Sequence, residues 1–404
     1  MNAAPARATA KAKDGLRGRA AIVGIGETTY YKWGRATEPE FKMALDAILT
    51  ACKDAGIDPQ RIDGFASYSD DRNTSTRLAS ALNLPDLRLS SMLWGGGGGG
   101  CCGAVENAAM AVAAGVAECV VVFRSLAQGQ FGRFGQGRPI ESISGEMAYA
   151  IPYGLMSPAQ MFAMRYQRWM YEHGGVGMKA QMGVSLASYH HAQNNPRAVM
   201  YKRPLDAESY EESRWIVEPW RLFDCCQEND GAAALIVMSA DAARDVCENP
   251  VYVLGGAHGM DQRYAAPVHN GGAYPSSDFG TVAPRLYAMA DLTPADVDVT
   301  QCYENFTGGV VMSMVEHGMV AAEEVDEVLQ LDNLIAPSGK VPLNTSGGNL
   351  AEAYIHGLEL VVEGVRQMQG RSVNQVPDAK VCLVAGGPMV SPVSSVILGT
   401  EAAL

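Results

Sequence analysis

The chain has 404 residues, of which 48% are hydrophobic and 19% are charged, and its formal net charge is -13. This length and composition are typical of a globular protein with one large or two medium domains, and they exclude a largely disordered chain. The acidic balance, without a local basic patch, excludes a general nucleic-acid-binding role because the phosphate backbone would be repelled.

The nine cysteines include two adjacent pairs. They follow neither the pattern of a secreted disulfide framework nor the spacing of zinc ligands. We therefore expect a cytoplasmic protein in a reducing compartment, with no metal site. No apolar run reaches the roughly 18 residues that a membrane span requires, so none is expected.

Residues 1–19 are Ala-rich and basic, but they lack the Ser-rich amphipathic pattern of a transit peptide, so we expect a disordered tail. From Ala20 onward, short β-branched runs alternate with helix-period segments, which is typical of strands joined by crossover helices. Strands are predicted at AAIVGIGET, IDGFASYS, LRLSSML and AECVVVF, and helices at FKMALDAILTACKDAG and AVENAAMAVAAG. These elements predict a layered α/β domain.

The segment from about 124 to 220 has weak periodicity and is rich in Gly, Pro, Met, Tyr and Arg. We interpret it as an inserted, loop-rich subdomain. Long irregular inserts of this kind usually form lids or ligand-binding surfaces. The strand GAAALIVMSA then resumes the regular pattern.

The second half of the chain, 251–404, repeats the style of the first half, 20–250. Strands are predicted at VYVLGGAHG, VTQCYENF, KVCLVAGGPM and VSSVILG, and helices run through PRLYAMA, VVMSMVEHG and EAYIHGLELVVEGVRQM. The chain is therefore predicted to be a duplicated α/β unit, with similarity in architecture rather than in residues.

Three glycine-rich turns stand out: WGGGGGGCCGAVENA at 94–108, NTSGGNLAEAYIHG at 344–357 and VAGGPM at 384–389. A glycine run before a helix exposes backbone N–H groups at a positive helix terminus, which suits an oxyanion. Each turn alone is equally compatible with a plain strand-to-helix connection. The context of a nucleotide-binding motif is missing, which disfavours nucleotide phosphates.

Together with CYENF at 302–306, these turns resemble the thiolase superfamily, especially the sterol-carrier-protein-type thiolases and their lipid-transfer-protein relatives. GVAECVVV, HHAQNNPRA and CCQENDGAAALIV are similar to further family segments, so the resemblance spans Ala20 to Gly399. It implies a thiolase fold, in which two βαβαβαββ halves form an α/β/α/β/α layered core with an inserted loop domain.

The chain departs from the thiolase pattern at the positions of the reactive residues. Counting back from GVAEC places the nucleophilic cysteine of the family at Gly98. The GGxxxxGHPxG motif places the catalytic histidine at Tyr354, and the NEAF-type motif places its asparagine at Tyr303. The second thiolase cysteine falls within 383–387, with Cys382 one residue out of register. The resemblance therefore implies that the nucleophile of thiolases is lost.

Two tyrosines and a glycine at the cysteine position are similar to the pattern of actinobacterial thiolase-like aldolases of steroid side-chain degradation. This resemblance implies a carbon–carbon lyase that cleaves the Cα–Cβ bond of a β-hydroxyacyl-CoA to a ketone or aldehyde and a shorter acyl-CoA such as propionyl-CoA. Tyr303 and Tyr354 are predicted to be the acid and base, with the phenol pKa lowered from its usual ~10 by neighbours. Gly98 and Gly386 are predicted to bind the enolate oxygen.

His356, Glu304 and Asn305 are predicted to order the site rather than to react. Cys101 and Cys102 keep an alternative open, because a slip of three or four residues in the glycine run would place a nucleophile at a helix N-terminus. The alternatives are thus a thiolase of the acetyl-CoA acyltransferase type that uses one of these cysteines, and a non-catalytic acyl-CoA-binding subunit.

The resemblance also implies partners. A homodimer is expected, with LRLSSML as the strand at the two-fold interface. A separate small protein with an OB fold and a zinc ribbon is expected to complete a heterotetramer. The coenzyme A thioester is expected as the substrate, and no cofactor is expected. The sequence does not fix the acyl group, because its pocket is built from the poorly patterned insert.

Overall fold

The computed structural model describes residues 15–69, 71–95, 97–131, 143–260 and 274–404. The described strands are β1 (Ala20–Glu27), β2 (Tyr31–Lys32), β3 (Gly64–Tyr68), β4 (Leu89–Leu93), β5 (Cys119–Ala127), β6 (Trp215–Val217), β7 (Trp220–Arg221), β8 (Asn229–Ser239), β9 (Val251–Gly259), β10 (Val299–Cys302), β11 (Val381–Gly386) and β12 (Val393–Gly399). All but β6 and β7 belong to one mixed sheet.

The described α-helices are α1 (Glu40–Ala55), α2 (Ser75–Ala81), α3 (Cys101–Ala113), α4 (Gln128–Phe131), α5 (Pro158–Glu172), α6 (Met178–Asn194), α7 (Ala207–Glu212), α8 (Ala240–Val246), α9 (Val282–Ala290), α10 (Thr307–Glu316), α11 (Val325–Val328), α12 (Leu331–Leu334) and α13 (Leu358–Met368). Within the described ranges, no helix combines the length and the apolar character that crossing a membrane requires.

The strand order contains the same arrangement twice. In the first half the order is β4-β3-β5-β8-β1, and in the second half it is β10-β11-β12-β9. In the first half, the outermost strand β4 pairs with β3. In the second half, the corresponding position beside β10 is taken by a single parallel bridge between Thr300 and Leu343. In both halves the outer pairs are parallel and the inner pairs antiparallel. The halves join where β1 pairs antiparallel with β9, so the predicted duplication is present.

Helices α3 and α13 form a middle layer, because each contacts strands of both halves. The outer faces are covered by α1, which packs on β1, β8 and β5, and by α9, which packs on β9 and β12. This is the expected α/β/α/β/α order. A helix enclosed on all sides has to be apolar nearly all round, and ten of the thirteen residues of α3 are buried.

The beginning of the chain differs from the prediction of a disordered tail over 1–19. Residues 1–14 lie outside the described part of the chain. Leu16 is buried, and the backbone N–H of Gly18 donates to the carbonyl of Val253 over 3.1 Å. An apolar side chain and a neighbouring strand therefore hold the chain in place before Ala20.

The insert lies between β5 and β8. β5 continues past Arg124 to Ala127, because its pairing with β8 extends to Asp230. The sequence predicts loops here, yet the segment contains the long helices α5 and α6. α6 packs against α10, α11 and α12. Since it is covered on several sides, its apolar residues do not follow one helical face, and the periodicity that would reveal a helix is absent.

A column of aromatic rings fastens the insert to the second half. Trp169, Tyr166, Trp220 and Phe306 stack in that order, with centroid distances of 5.7, 5.1 and 5.4 Å. Stacked pairs of this kind stabilise beyond the area that they bury. Because Phe306 is three residues after Tyr303, the column anchors the end of the loop that carries this tyrosine.

The two central helices begin at residues other than those predicted. α3 begins at Cys101 rather than at Ala104, after a 3-10 turn over Gly97–Gly100. α13 begins at Leu358, although the sequence predicts a helix from Glu352 onward. Residues 348–352 instead form a π turn, and glycine at 357 has φ of 90°. Between this turn and α13 the chain is extended at Ala353 and then turns at His356 and Gly357, which both have positive φ, so it is not helical.

Candidate active site

Tyr303 and Tyr354 lie side by side, one after β10 and the other just before α13. The Tyr303 hydroxyl donates a hydrogen bond to the Tyr354 hydroxyl, with 2.7 Å between the oxygens. The rings meet edge to face with centroids 5.8 Å apart. Tyr303 is 1% exposed and Tyr354 is 8% exposed, so Tyr354 is the more accessible phenol. The structure thus brings together the two residues that the sequence predicts as acid and base.

Gly98, the position of the lost nucleophile, lies directly against the ring of Tyr303. A β-carbon placed on Gly98 would stand 2.2 Å from Tyr303 Cε2 and 2.3 Å from its hydroxyl oxygen. Gly98 does not have a positive φ, so space rather than backbone conformation demands a glycine here. Close-packed interiors do not tolerate such overlap. A cysteine at 98 and a tyrosine at 303 therefore exclude each other.

Cys101 fills the space beside Tyr303. A β-carbon on Gly357 would be 2.7 Å from Tyr303 Cδ2 and 3.0 Å from Cys101 Sγ. A β-carbon on Gly386 would be 2.4 Å from the same sulfur and 3.4 Å from the carbonyl oxygen of Gly98. The two glycines predicted to bind the enolate thus border one small region next to Tyr303, at the start of both central helices.

Neither cysteine of the thiolase alternative is accessible. Cys101 and Cys102 are both 0% exposed, and their sulfur atoms lie 3.8 Å apart. The Cys102 thiol donates to the carbonyl of Val384 over 3.5 Å. Burial raises the pKa of the Cys102 thiol well above its usual range, which disfavours the thiolate that a thiolase needs.

The predicted lowering of the phenol pKa values is wrong. Burial raises the pKa of both Tyr303 and Tyr354 well above the usual value for a phenol, because the charged form is poorly solvated. The nearby carboxyl group of Glu359 acts in the same direction. The hydrogen bond between the phenols lowers the pKa of Tyr354 and raises that of Tyr303. This hydrogen bond therefore favours ionisation of Tyr354 over that of Tyr303.

His356 packs edge-on against Tyr354, with ring centroids 5.3 Å apart. Its Nδ1 lies 2.8 Å from Arg124 Nη2, and Arg124 is paired with Asp71 over 3.2 Å. Because a guanidinium only donates, Nδ1 accepts and the imidazole proton is assigned to Nε2. Burial, and then the charge of Arg124, hold the pKa of His356 well below its usual value. His356 is thus a neutral ring fixed beside Tyr354.

Glu304 and Asn305 hold the loop that follows Tyr303. The Glu304 carboxyl group accepts a hydrogen bond from the Ser188 hydroxyl at 2.5 Å, and burial raises its pKa to about 7. The Asn305 amide donates to the carbonyl of Pro388 over 3.2 Å. These contacts support the predicted ordering role of both residues.

Three buried polar residues near the tyrosines are missing from the sequence prediction. Asn229 accepts a hydrogen bond from the backbone N–H of Tyr354 at 2.8 Å. Asn349 accepts one from the backbone N–H of Glu304 at 2.8 Å, and its own amide donates to Glu359. The sequence contained a signal for Glu359, which is an acidic residue in an otherwise apolar helical run. An acidic side chain in a buried helix requires a polar partner.

The described residues contain no group of three or more His, Cys, Asp or Glu side chains that could hold a metal ion. The buried carboxyl groups near the tyrosines contact amide and hydroxyl groups instead, as Glu304 contacts Ser188 and Glu359 contacts Asn349. Such neutral donors suit carboxyl groups that are partly protonated near neutral pH.

Comparison with known proteins connects this site to a family. The chain is 39% identical over 391 residues to a 17-hydroxy-3-oxo-4-pregnene-20-carboxyl-CoA lyase of Mycobacterium tuberculosis. The aligned region covers 95% of this chain and 100% of that relative. Residues 273–400 match the family model described as Thiolase C-terminal domain-like. The chain belongs to the thiolase superfamily. The predicted family is therefore confirmed.

Other members of the thiolase superfamily give the same assignment. The chain is 38% identical over 393 residues to a steroid side-chain-cleaving aldolase of Thermomonospora curvata, over 96% of this chain and 99% of that one. A solved structure of an Ltp2-ChsH2(DUF35) aldolase superposes with a TM-score of 0.88 at 37% identity, over 96% of this chain and 99% of that chain. This match, together with the thiolase family model over residues 273–400, confirms the predicted thiolase fold.

Proposed function

We propose that this chain is an aldolase that cleaves the Cα–Cβ bond of a β-hydroxyacyl-CoA with a steroid acyl group. The predicted class, a carbon–carbon lyase on a thiolase fold, is confirmed by two relatives named as lyase and aldolase. In the name of the first relative, the hydroxyl group is on carbon 17 and the thioester carboxyl on carbon 20. These carbons are bonded neighbours, so the hydroxyl is β to the thioester. The products are a ketosteroid and a shortened acyl-CoA such as propionyl-CoA.

The observation that carries this proposal is the mutual exclusion of Tyr303 and any side chain at residue 98. Thiolase chemistry needs a nucleophile at that position to form an acyl-enzyme. A retro-aldol reaction needs no nucleophile. It requires a base for the hydroxyl proton, an acid for the enolate carbon and groups that stabilise the enolate oxygen.

The two phenols supply the proton transfers in this mechanism. Tyr354, the more accessible phenol, accepts the proton of the β-hydroxyl group as the Cα–Cβ bond breaks, and in the same step it passes its own phenolic proton to Tyr303. The O–H electron pair becomes the ketone carbonyl, and the Cα–Cβ electron pair becomes the enolate of the acyl-CoA. Tyr303 in turn donates its original proton to the enolate carbon, so during turnover the Tyr354 hydroxyl donates to Tyr303, the reverse of the hydrogen bond at rest. Both phenols are protonated before and after turnover, which agrees with their raised pKa values.

Backbone N–H groups at Gly98 and Gly386 bind the enolate oxygen in this proposal. Both glycines border the same region beside Tyr303, close to where α3 begins. The N-terminus of a helix carries a partial positive charge, which favours a developing oxyanion. The thioester itself is the substrate, and the mechanism uses no further cofactor.

The proposal includes assembly with itself and with a small partner. The strand β4 lies at the edge of the sheet, and Trp94, just after it, is 88% exposed. An edge strand offers backbone groups that a second chain can pair with, which supports a homodimer through β4. The name of the solved relative combines two components, which supports a small OB-fold and zinc-ribbon partner in a heterotetramer. We place this assembly in the cytoplasm.

The test is to incubate the chain, with and without such a partner, with a panel of steroid β-hydroxyacyl-CoAs. We expect a ketosteroid and a shortened acyl-CoA in equal amounts by mass spectrometry. Tyr303→Phe and Tyr354→Phe should each lower kcat by about 10²- to 10⁴-fold, since each removes a proton-transfer group. Tyr171→Phe, an exposed tyrosine of α5, is the control.

Two outcomes would contradict parts of the proposal separately. Absence of cleavage in every arm of the panel would contradict the aldolase function. Full cleavage by both phenylalanine variants would contradict the tyrosine relay and leave the aldolase function standing.

A further inference from the structure

The buried side chain of Asn349 links the two segments that carry the tyrosines. Its Oδ1 accepts a hydrogen bond from the backbone N–H of Glu304 at 2.8 Å, and its Nδ2 donates to the carbonyl of Ala353 over 3.4 Å. Glu304 follows Tyr303 directly, and Ala353 precedes Tyr354 directly. One amide group is therefore bonded to the backbone next to each phenol.

Two backbone groups fix the orientation of that amide, and Glu359 adds a third partner. The Nδ2 of Asn349 also donates to the Oε1 of Glu359, which is fully buried in the first turn of α13. The backbone N–H of Glu304 can only donate, and the carbonyl of Ala353 can only accept. A flipped amide would thus set its nitrogen against that N–H and its oxygen against that carbonyl, at the cost of leaving buried groups unpaired.

A second contact between the same two segments runs in the opposite direction. The Oε2 of Glu304 accepts from the backbone N–H of Leu350 over 3.4 Å. The same oxygen would lie 1.9 Å from a β-carbon on Gly348, so only glycine fits there. Gly348 also begins the π turn, in which the N–H of Ala353 donates to its carbonyl over 3.2 Å. π turns of this kind occur frequently at functional sites.

We propose that Asn349 and Glu359 are positioning residues that set the distance between the two phenols, an inference that rests on the proposed aldolase function. The relay requires a proton to cross the 2.7 Å between Tyr303 and Tyr354. A misplacement of about 1 Å costs on the order of 10²-fold in rate. Asn349 and Glu359 act through the phenols, so their loss lowers kcat and leaves KM unchanged.

The test uses a loss and a designed rescue. Asn349→Asp keeps the shape of the side chain but removes the donor to Glu359 and to the carbonyl of Ala353. We expect kcat to fall by about 10²-fold with KM within twofold. Adding Glu359→Gln to the same chain supplies an amide that donates to the new carboxylate, so kcat should recover at least tenfold. Glu359→Gln alone keeps an acceptor for Asn349, so its kcat should fall less than that of Asn349→Asp.

The matched control is Asn374→Asp. Asn374 is also buried, and its amide donates to the carbonyls of His191 and Thr345 at 3.0 and 2.7 Å, neither of which adjoins Tyr303 or Tyr354 in the chain. This variant should lower the melting temperature and keep kcat. If Asn349→Asp does not fold, Glu359→Ala replaces it, because it removes the acceptor that holds the amide and should lower kcat in the same way.

The outcomes separate this inference from the function on which it rests. Absence of turnover in the wild-type complex contradicts the proposed function and the inference together. Turnover in the wild type, with kcat of Asn349→Asp equal to that of Asn374→Asp, contradicts the inference alone. A double variant no faster than Asn349→Asp contradicts it as well, because a restored hydrogen bond between residues 349 and 359 should restore the distance between the phenols and hence kcat.

Discussion

Substitution of Gly98 by alanine tests the geometry on which the site depends. The added β-carbon would stand 2.2 to 2.3 Å from the Tyr303 ring and hydroxyl, whereas carbon atoms at rest are about 3.5 to 4.0 Å apart. The phenol therefore has to move by more than about 1 Å, which predicts a loss of about 10²-fold or more in kcat. Overpacking of a buried site should also cost about 1 to 3 kcal/mol of unfolding free energy.

The assay combines steady-state cleavage of a steroid β-hydroxyacyl-CoA with urea unfolding. Gly115→Ala at the other end of α3 is the control, because its β-carbon would meet open space although its φ is 71°. The Gly115→Ala variant should lose about 1 kcal/mol of unfolding free energy and keep its cleavage activity. The double variant Gly98→Ala, Tyr303→Ala should lose less unfolding free energy than the sum of the losses of the two single variants. A Gly98→Ala variant with wild-type kcat and stability would refute this reasoning.

Three further predictions concern the surroundings of the tyrosines. Arg124→Met should lower the unfolding free energy by up to about 3 to 5 kcal/mol, because it leaves the buried carboxylate of Asp71 without its cationic partner, although Ser67 and Asn73 still donate to it. A loss below about 1 kcal/mol in urea unfolding would contradict this prediction. Cys101→Ser should cleave the substrate at a rate within about threefold of the wild type and remain insensitive to iodoacetamide, since a phenol relay needs no thiolate. Loss of cleavage in a folded Cys101→Ser variant would favour the thiolase alternative. Burial raises the pKa of Glu359 from 4.5 to about 8, so its stabilising effect is complete below pH 4.5 and is lost as the pH rises through about 8. The unfolding free energy should therefore fall less between pH 5 and pH 8 in Glu359→Gln than in the wild type. An equal fall in both proteins would contradict this prediction. Glu118→Gln, at an exposed position, is the control.

Most of the sheet could be predicted because its strands depend on local pattern. VYVLGGAHG and VSSVILG are short β-branched runs between turns, and β9 and β12 have those bounds. The helix α6 could not be predicted in this way, because several elements cover it. The helix α5 buries one face and begins after a capping box at Ser157, so a local signal for it was available. The start of α13 was equally hidden, since it depends on a π turn and a glycine with positive φ.

The reactive positions could be predicted only through the register of family motifs. Gly98, Tyr303 and Tyr354 are far apart in the chain, and motif spacing placed all three at one site. The contact between Arg124 and His356 joins residues 232 positions apart, and no local pattern indicates it. The direction of the phenol pKa shift was predicted wrongly because it depends on burial, which a motif does not reveal.

The central claim is that the Cα–Cβ bond is cleaved without an acyl-enzyme, with Tyr354 accepting the β-hydroxyl proton and Tyr303 protonating the enolate of the intact thioester. The most direct measurement is cleavage of a steroid β-hydroxyacyl-CoA in heavy water with no free coenzyme A added. Retro-aldol cleavage predicts full conversion, with one deuterium at the α-carbon of the released acyl-CoA. Cleavage that requires added coenzyme A and leaves an acyl group on Cys101 would contradict it.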